Sequence, residues 1–250
     1  MVRQTKASDW KHVLISNDPA PPIYLEIKDG SYVFPLYLYP PPEGPKKSKS
    51  GLFEEDNPFE GKERIENFAP AFRKEIDAKY SKHYSPEDIL GYIYAVLHSP
   101  AYRAKYLEVL KIDFPRIPFV DNPGTFEAVS ELGWELVQAH LIIMVPKELK
   151  VDVTKGGFEV EKPAYDEKQQ RLYINKDQYF SPVPKEVWEF HIGDYQVLDK
   201  YLKSRKGRTL SLDEIENIQN IVKTLAFTIR QMQKIDDIWN PGLAVFETVA

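Results

Sequence analysis

The clearest pattern along the chain is a helical one near its C-terminus. Apolar residues recur every three or four positions through residues 212–235, the spacing that places them on one face of an α-helix. Ser211 followed by Glu214 is the capping-box pattern with which helices begin. We therefore predict a long amphipathic helix on which Ile215, Val222, Leu225 and Ile229 pack inward. Its apolar face consists of Leu212, Ile215, Ile218, Val222, Leu225, Ile229, Met232 and Ile235.

Three more helices are predicted in the middle of the chain. Ser85-Pro86 and Ser99-Pro100 each place a capping hydroxyl before the first helical position, where proline costs no hydrogen bond. The helical period returns over residues 125–143, after a segment at 113–118 that two prolines keep extended. We interpret the apolar run at 141–145 as buried core.

Elsewhere the pattern has the period of two that is typical of strands. Segments 23–28 and 31–39 flank Asp29-Gly30 and predict an N-terminal β-hairpin. Residues 151–180 predict a second hairpin with its turn at 166–170. Strands, helices, a hairpin and further helices follow in this order, which predicts an α+β fold rather than a doubly wound sheet.

The whole chain, residues 1–250, is interpreted as one domain. Near its end, Asp194 is expected to begin a short helix that Gly207 terminates. The predicted parts are a β-rich segment at 1–61 that includes a charged loop at 43–61, a helical part at 62–145, a β-hairpin at 146–183 and C-terminal helices at 184–250.

Composition narrows the possible functions. Lys and Arg number 33 against 38 Asp and Glu, a net charge of −5, which excludes a polycation that binds nucleic acid by bulk charge. The chain has no cysteine and five histidines, so disulfides and thiolate zinc sites are excluded. It contains neither a signal-peptide pattern nor an apolar run near the roughly 20 residues that span a bilayer, so a cytoplasmic protein without membrane contact is expected.

Sequence motifs for chemistry are absent or weak. Glycine-rich phosphate loops, H-E-x-x-H and G-x-S-x-G do not occur, so we predict no catalytic residues, cofactor or metal site in this chain. Asp18, Glu26 and Lys28 faintly resemble a nuclease arrangement, but such a spacing is common in strands. Residues 57–59, Asn-Pro-Phe, resemble part of an adenine-binding tetrapeptide and are more simply explained as a turn.

Two clusters of basic residues are candidates for phosphate contact. The first places five cations within nine residues; these side chains either grip DNA phosphates or complement the end of a helix. The second mixes aromatic and basic side chains and is alternatively an amphipathic helix with core-facing tyrosines. The first cluster is Lys200, Lys203, Arg205, Lys206 and Arg208, and the second is Tyr102, Arg103, Lys105, Tyr106 and Lys111.

Several segments together resemble the C-terminal target-recognition region of type ISP restriction-modification enzymes. The resemblance runs in order from about residue 32 to 236 and is specific as a set. One departure is Gly193-Asp194, where the family pattern has two glycines, because it puts an anion near the first basic cluster. The segments are FPLYLY (34–39), IYAVLHSPAYR (93–103), KIDFPRIP (111–118), YIN (173–175), VWEF (187–190), IGDYQV (192–197) and LKSRKGRTL (202–210).

The resemblance implies a function for the chain. Such enzymes join a nuclease, a helicase-like ATPase, an adenine methyltransferase and a DNA-reading domain, and this chain corresponds to the last. S-adenosylmethionine, ATP and Mg²⁺ are accordingly expected only in the other domains, and the expected partners are double-stranded DNA and the methyltransferase domain. Candidate base-reading residues lie in 43–61 and 151–170 or beside them, and are Lys46, Lys47, Lys49, Lys155 and Arg171.

Two other functions stay open at this point. A non-catalytic protein-interaction or scaffold domain agrees equally well with the net charge of −5 and with the amphipathic helix at 212–235. A separate nuclease depends on Asp18, Glu26 and Lys28 alone. A positive concave surface favours DNA binding, whereas a bare apolar face favours a protein partner.

Overall fold

The computed structural model describes residues 10–11, 13–18, 32–41, 59, 61–193 and 195–239. These residues form seven helices and eight short strands, which confirms the predicted α+β class. The helices are α1 (Pro70–Tyr80), α2 (Pro86–His98), α3 (Pro100–Leu110), α4 (Pro123–His140), α5 (Lys185–Trp188), α6 (Val197–Lys203) and α7 (Leu212–Ile238). The strands are β1 (Tyr37–Leu38), β2 (Ile65–Glu66), β3 (Asp152–Val153), β4 (Ala164–Asp166), β5 (Arg171–Tyr173), β6 (Tyr179–Ser181), β7 (His191–Ile192) and β8 (Tyr195–Gln196).

The helical half of the molecule, which we define as α1–α4 and their connections, is built around the packing of α2 against α4. Gly91 and Gly133 lie at the point of contact, where a Cβ atom on Gly133 would come within 1.8 Å of the Gly91 carbonyl oxygen. Two glycines therefore let the helix backbones touch. Beside this contact the core is largely aromatic, and the rings of Tyr92 and Phe126 stack with centroids 4.8 Å apart.

The helices of this half begin where their capping residues predict. Ser85 Oγ accepts a hydrogen bond from the Asp88 amide at 3.1 Å, and the Asp88 carboxylate accepts one from the Ser85 amide at 2.9 Å. Ser99 Oγ likewise accepts from the Tyr102 amide at 3.0 Å. Helix α1 was not predicted individually, because its N-cap is Ala69, whose side chain cannot accept a hydrogen bond.

The sheet half, which we define as β3–β8 with α5 and α6, contains the predicted second hairpin within a larger sheet. Strands β4 and β5 pair antiparallel across the predicted turn, and β6 and β3 extend them to a four-stranded sheet in the order β3-β6-β5-β4. Leu172 and Phe180 point into the core of this half. By alternation, Arg171, Tyr173 and Tyr179 lie on the outer face.

Helix α7 joins the two halves. Its N-terminal part buries Ile215 and Val222 in the core of the sheet half, and its C-terminal part buries Phe227 and Ile235 in the core of the helical half. The predicted capping box is present, with Ser211 Oγ accepting from the Glu214 amide at 3.1 Å. Leu212, the first residue of the predicted apolar face, is 81% exposed. It is the first residue of the helix and lies beyond the edge of the core.

Two further predictions need correction. The run 141–145 is not continuous core, because α4 ends at His140 and the chain then turns through Ile142 in a left-handed conformation, with φ of 58°. The side chains of Ile142 and Ile143 are 54% and 65% exposed. Helix α6 begins at Val197 and is capped by the side chain of Gln196; Asp194 lies outside the described residues.

The N-terminal part of the chain contains a strand pair that the sequence pattern did not predict. Tyr37–Leu38 pairs antiparallel with Ile65–Glu66, a strand that the sequence pattern did not indicate. Residues 19–31, which include most of the predicted hairpin, lie outside the described residues. Most of the predicted loop at 43–61 lies outside them as well.

Candidate nucleic-acid interface

The first basic cluster covers the end of α6 and the turn that leads to α7, and its backbone is attached to the sheet half. The Gly207 amide donates to the Val160 carbonyl at 2.7 Å, and the Val160 amide donates to the Arg208 carbonyl at 2.9 Å. Gly207 has a φ of 75°, which glycine adopts at little cost. We call residues 200–208 the basic turn.

Most cations of the basic turn have an anionic or aromatic partner. Lys203 Nζ lies 2.7 Å from the Asp199 carboxylate, and Lys200 Nζ lies 4.7 Å from the centre of the Tyr195 ring. Lys206 is exposed and has no ion pair in the part of the chain that the structure describes. The surface charge of the turn is consequently smaller than the sequence suggests.

Glu214 holds both arginines of the basic turn. Its Oε1 atom lies 2.9 Å from Arg205 Nε and 3.0 Å from Arg208 Nη2, while its other oxygen accepts from the Ser211 amide. The pKa of Glu214 is lowered below its ordinary value, mainly by the hydrogen bond from the Ser211 amide. The hydrogen bond from Arg205 and the charges of Arg205 and Arg208 lower this pKa further. The capping residue of α7 is thus also the counter-ion of the turn.

Arg205 and Arg208 differ in what remains available to a ligand. Arg205 donates to the Tyr201 carbonyl at 3.0 Å, and its guanidinium lies 3.5 Å from the centre of the Tyr201 ring. Asp213 and Glu216 line the same surface depression as Arg205, so a phosphate would meet anions there. The Arg208 side chain is 60% exposed. Arg205 therefore braces the turn, whereas Arg208 presents its charge to solvent.

The second cluster is mainly structural. Tyr102 is 1% exposed and donates its hydroxyl hydrogen bond to the Arg116 carbonyl at 2.8 Å, so its ring belongs to the core and is not accessible to DNA. Arg103 is half-buried, and its Nε donates to the Leu97 carbonyl at 2.6 Å. The alternative of core-facing tyrosines on an amphipathic helix describes Tyr102 correctly, and this burial disfavours the prediction that Tyr102 contacts DNA.

Arg171 and Lys155 lie on the sheet half. The Arg171 guanidinium lies 4.2 Å from the centre of the Tyr179 ring, and the rings of Tyr173 and Tyr179 are 5.1 Å apart. Lys155 follows β3 and is exposed. Sequence reasoning nominated Arg171 but missed its two tyrosines, although the alternation Arg171-Leu172-Tyr173 indicated that the first and third side chains share a face.

Other nominated residues are only partly described. Lys46, Lys47 and Lys49 lie outside the described residues, as do Glu26 and Lys28 of the nuclease-like set, whereas Asp18 is described and exposed. Among the residues that the structure describes, no group of three or more His, Asp or Glu is arranged to hold a metal ion. Nor does any described helix combine the length and apolar character that crossing a membrane requires.

Comparison with known proteins identifies the family. Two similar structures are the DrdV–DNA complex determined by cryo-electron microscopy, at 22% identity and a TM-score of 0.54, and the ATP-dependent Type ISP restriction-modification enzyme LlaBIII bound to DNA, at 21% and 0.51. The matches cover 71% and 82% of this chain but only 20% and 13% of those proteins, and at these identities they show a shared fold. A search of curated proteins found no match. The model of the Type ISP C-terminal specificity domain matches residues 1–234, and the chain therefore belongs to that family.

Proposed function

We propose that this chain recognises the DNA target of a restriction-modification enzyme. The observation that carries the proposal is the family match over residues 1–234, since it identifies a specificity domain. The DNA-bound states of DrdV and LlaBIII support the same ligand class. This function is favoured over a protein scaffold because it also accounts for exposed cations on an acidic chain.

Phosphate contacts and base contacts fall on different parts of the proposed interface. Lys206 and Arg208 are exposed cations at a turn whose backbone is fixed, which suits them to bind phosphates and set the register of the complex. Base reading is assigned to the sheet half, where short turns present polar side chains to solvent. Arg171 and Lys155 are the basic groups on that side.

The chemistry is assigned to other domains of the parent polypeptide. We propose that this chain positions two other parts of the polypeptide on the DNA target in the cytoplasm. One is an adenine methyltransferase domain that binds S-adenosylmethionine, and the other is a nuclease part that depends on ATP and Mg²⁺. The chain itself is expected to show no methyltransferase, ATPase or nuclease activity.

The proposal is tested by selecting bound duplexes from a random pool with the 250-residue chain. An enriched sequence motif is expected, and recovery of duplexes without any motif would contradict target recognition. The Lys206→Ala/Arg208→Ala double variant should bind DNA more weakly than the parent chain does. The loss of affinity should be the same for specific and unrelated duplexes, since phosphates carry no base identity. The slope of log affinity against log salt should become shallower by about 0.9 for each phosphate that the variant no longer neutralises.

A matched control separates local contacts from net charge. Lys74→Ala/Lys234→Ala removes the same two charges from exposed positions on α1 and α7 and is expected to leave the slope close to that of the parent chain. If both double variants make the slope of log affinity against log salt equally shallower, the basic turn is not a phosphate site.

A further inference from the structure

The turn between β4 and β5 combines a fixed backbone with freely presented side chains. It contains Glu167, Lys168, Gln169 and Gln170, all of which are exposed. In the described part of the chain, no hydrogen bond or ion pair involves the side chains of Lys168, Gln169 or Gln170. We call Lys168–Gln170 the hairpin tip.

Three sets of contacts hold the backbone of this turn. The Asp166 carboxylate accepts hydrogen bonds from the amides of Lys168 at 2.9 Å and Gln169 at 3.1 Å. Glu167 pairs with Lys185 of α5 at 2.9 Å, and the Gln170 carbonyl accepts from the Val183 amide at 2.8 Å. Asp166, the last residue of β4, and Glu167 are therefore engaged with the protein, and the hairpin tip is held in position without using its side chains.

The conformation of Gln170 is not the one that stability would select. Its φ is 50°, in the left-handed region where glycine or asparagine is favoured and a longer side chain is penalised. A turn that served only to connect two strands would be more stable with glycine here. Ser81, Ile142 and Phe158 share this conformation, so at Gln170 it supports a function only together with the free side chains of the tip.

The position of the tip in the sheet suits the major groove of DNA. Strand β4 is at the edge of the four-stranded sheet, and the segment after β6 lies beside the other end of the turn, where the Val183 amide donates to the Gln170 carbonyl. The two strands that the turn joins lie about 4.8 Å apart, so the exposed tip is narrower than the major groove, which is about 12 Å wide. A glutamine side chain placed there can donate to N7 and accept from the amino group of one adenine.

We propose that Gln169 and Gln170 of the hairpin tip read adenine bases in the major groove. The inference rests on the proposed function and names the residues that give it specificity. Lys168 adds a donor for guanine or for a phosphate at the same place, and Arg171, whose guanidinium lies against Tyr179, follows directly in the chain.

The experiment repeats the duplex selection with the 250-residue chain carrying Gln169→Ala or Gln170→Gly. Each variant should lose its preference for an A·T pair at one position of the parent motif, with discrimination there falling roughly ten-fold or more. Preference at the other positions and the salt slope should be unchanged, because glutamine is neutral. Gln170→Gly suits the left-handed conformation, so its midpoint of thermal unfolding should be equal to or above that of the parent.

Gln233→Ala is the matched control, since Gln233 is an exposed glutamine on α7 in the helical half. It should leave the motif intact. A parent chain that enriches no motif contradicts the proposed function itself. If the parent chain enriches a motif and both tip variants retain it, only the assignment of base reading to the hairpin tip is contradicted. The same assignment is contradicted if a tip variant loses affinity equally for every duplex.

Discussion

The helical half and the sheet half use their polar side chains in opposite ways. In the helical half, polar groups face one another across buried helix contacts: His140 Nδ1 lies 2.7 Å from the Tyr94 hydroxyl, and His140 Nε2 lies 2.8 Å from Thr228 Oγ1. In the sheet half, the core is mainly aliphatic, and Arg171, Arg208 and the hairpin tip are on the surface. The difference separates a closely packed support from a surface of exposed polar side chains, and the proposed binding residues lie on turns that this scaffold holds.

The largest loss of stability is expected in the helical half, at the contact of α2 with α4. We expect Gly133→Ala to lower the free energy of unfolding by on the order of 5 kcal/mol, because the new Cβ atom meets backbone and not a flexible side chain. Alanine favours an isolated helix over glycine by only about 1 kcal/mol, so the clash decides the sign. Urea denaturation followed by circular dichroism measures the effect.

Gly157→Ala is the control in the sheet half. A Cβ atom at Gly157 would have no heavy atom within 4 Å, and the expected change in the free energy of unfolding is below about 1 kcal/mol. Equal costs at the two glycines would remove the distinction between a tightly packed support and an open presenting surface.

A second prediction concerns the buried histidines of the helical half. Thr228 donates its hydroxyl hydrogen to the Thr224 carbonyl at 2.7 Å, so Thr228 Oγ1 accepts from Nε2–H of His140. His140 Nδ1 then accepts from the Tyr94 hydroxyl, which satisfies the neutral ring completely. Burial, with a smaller contribution from the charge of Arg103, lowers the pKa of His140 to about 4.

This shift makes stability depend on pH in a defined direction. The histidine gains a proton near pH 6.5 in the unfolded chain but only near pH 4 in the folded one, so the unfolded state binds more protons between these values. The free energy of unfolding should therefore fall by about 3 kcal/mol as pH decreases from 6.5 to 4. The pKa of His98 is lowered by burial as well, which acts in the same direction.

Urea titrations at several pH values measure this dependence. His140→Gln should be less stable than the parent chain at pH 7 and should lose less stability on acidification, because one buried proton acceptor is gone. If the free energy of unfolding falls equally in the parent and the variant between pH 6.5 and 4, His140 is not the cause of this pH dependence.

Sequence reasoning was most successful where one local interaction fixes the structure. Ser85, Ser99 and Ser211 each accept the amide hydrogen bond that their capping patterns predict, and the hairpin turn at 166–170 was located from alternation alone. It failed at Ile142, since the end of α4 left its side chain outside the core that the apolar run suggested.

The candidate site was less predictable because its properties depend on contacts between elements. Charge density identified the basic turn, but nothing in the spacing showed that Glu214 would neutralise both Arg205 and Arg208. The capping pattern assigned Glu214 to the helix start and gave no reason to look for a second role. Likewise, the burial of Tyr102 follows from its packing beside Trp239, more than one hundred residues away along the chain.

The smallest expected effect concerns the ion pairs that Glu214 makes with Arg205 and Arg208. Glu214→Gln keeps a residue that can complete the capping box while removing the counter-ion of Arg205 and Arg208, so the free energy of unfolding should change by less than about 1 kcal/mol. Non-specific duplexes should bind more tightly, and the salt slope should become steeper by less than about 0.9, because the guanidinium of Arg208 no longer shares its charge between Glu214 and the phosphate that it binds. Glu131→Gln makes the same change in net charge at an exposed position of α4 and should raise affinity less. Equal gains in the two variants would mean that net charge and not the release of Arg208 governs binding, and the basic turn would then be a charged surface like any other.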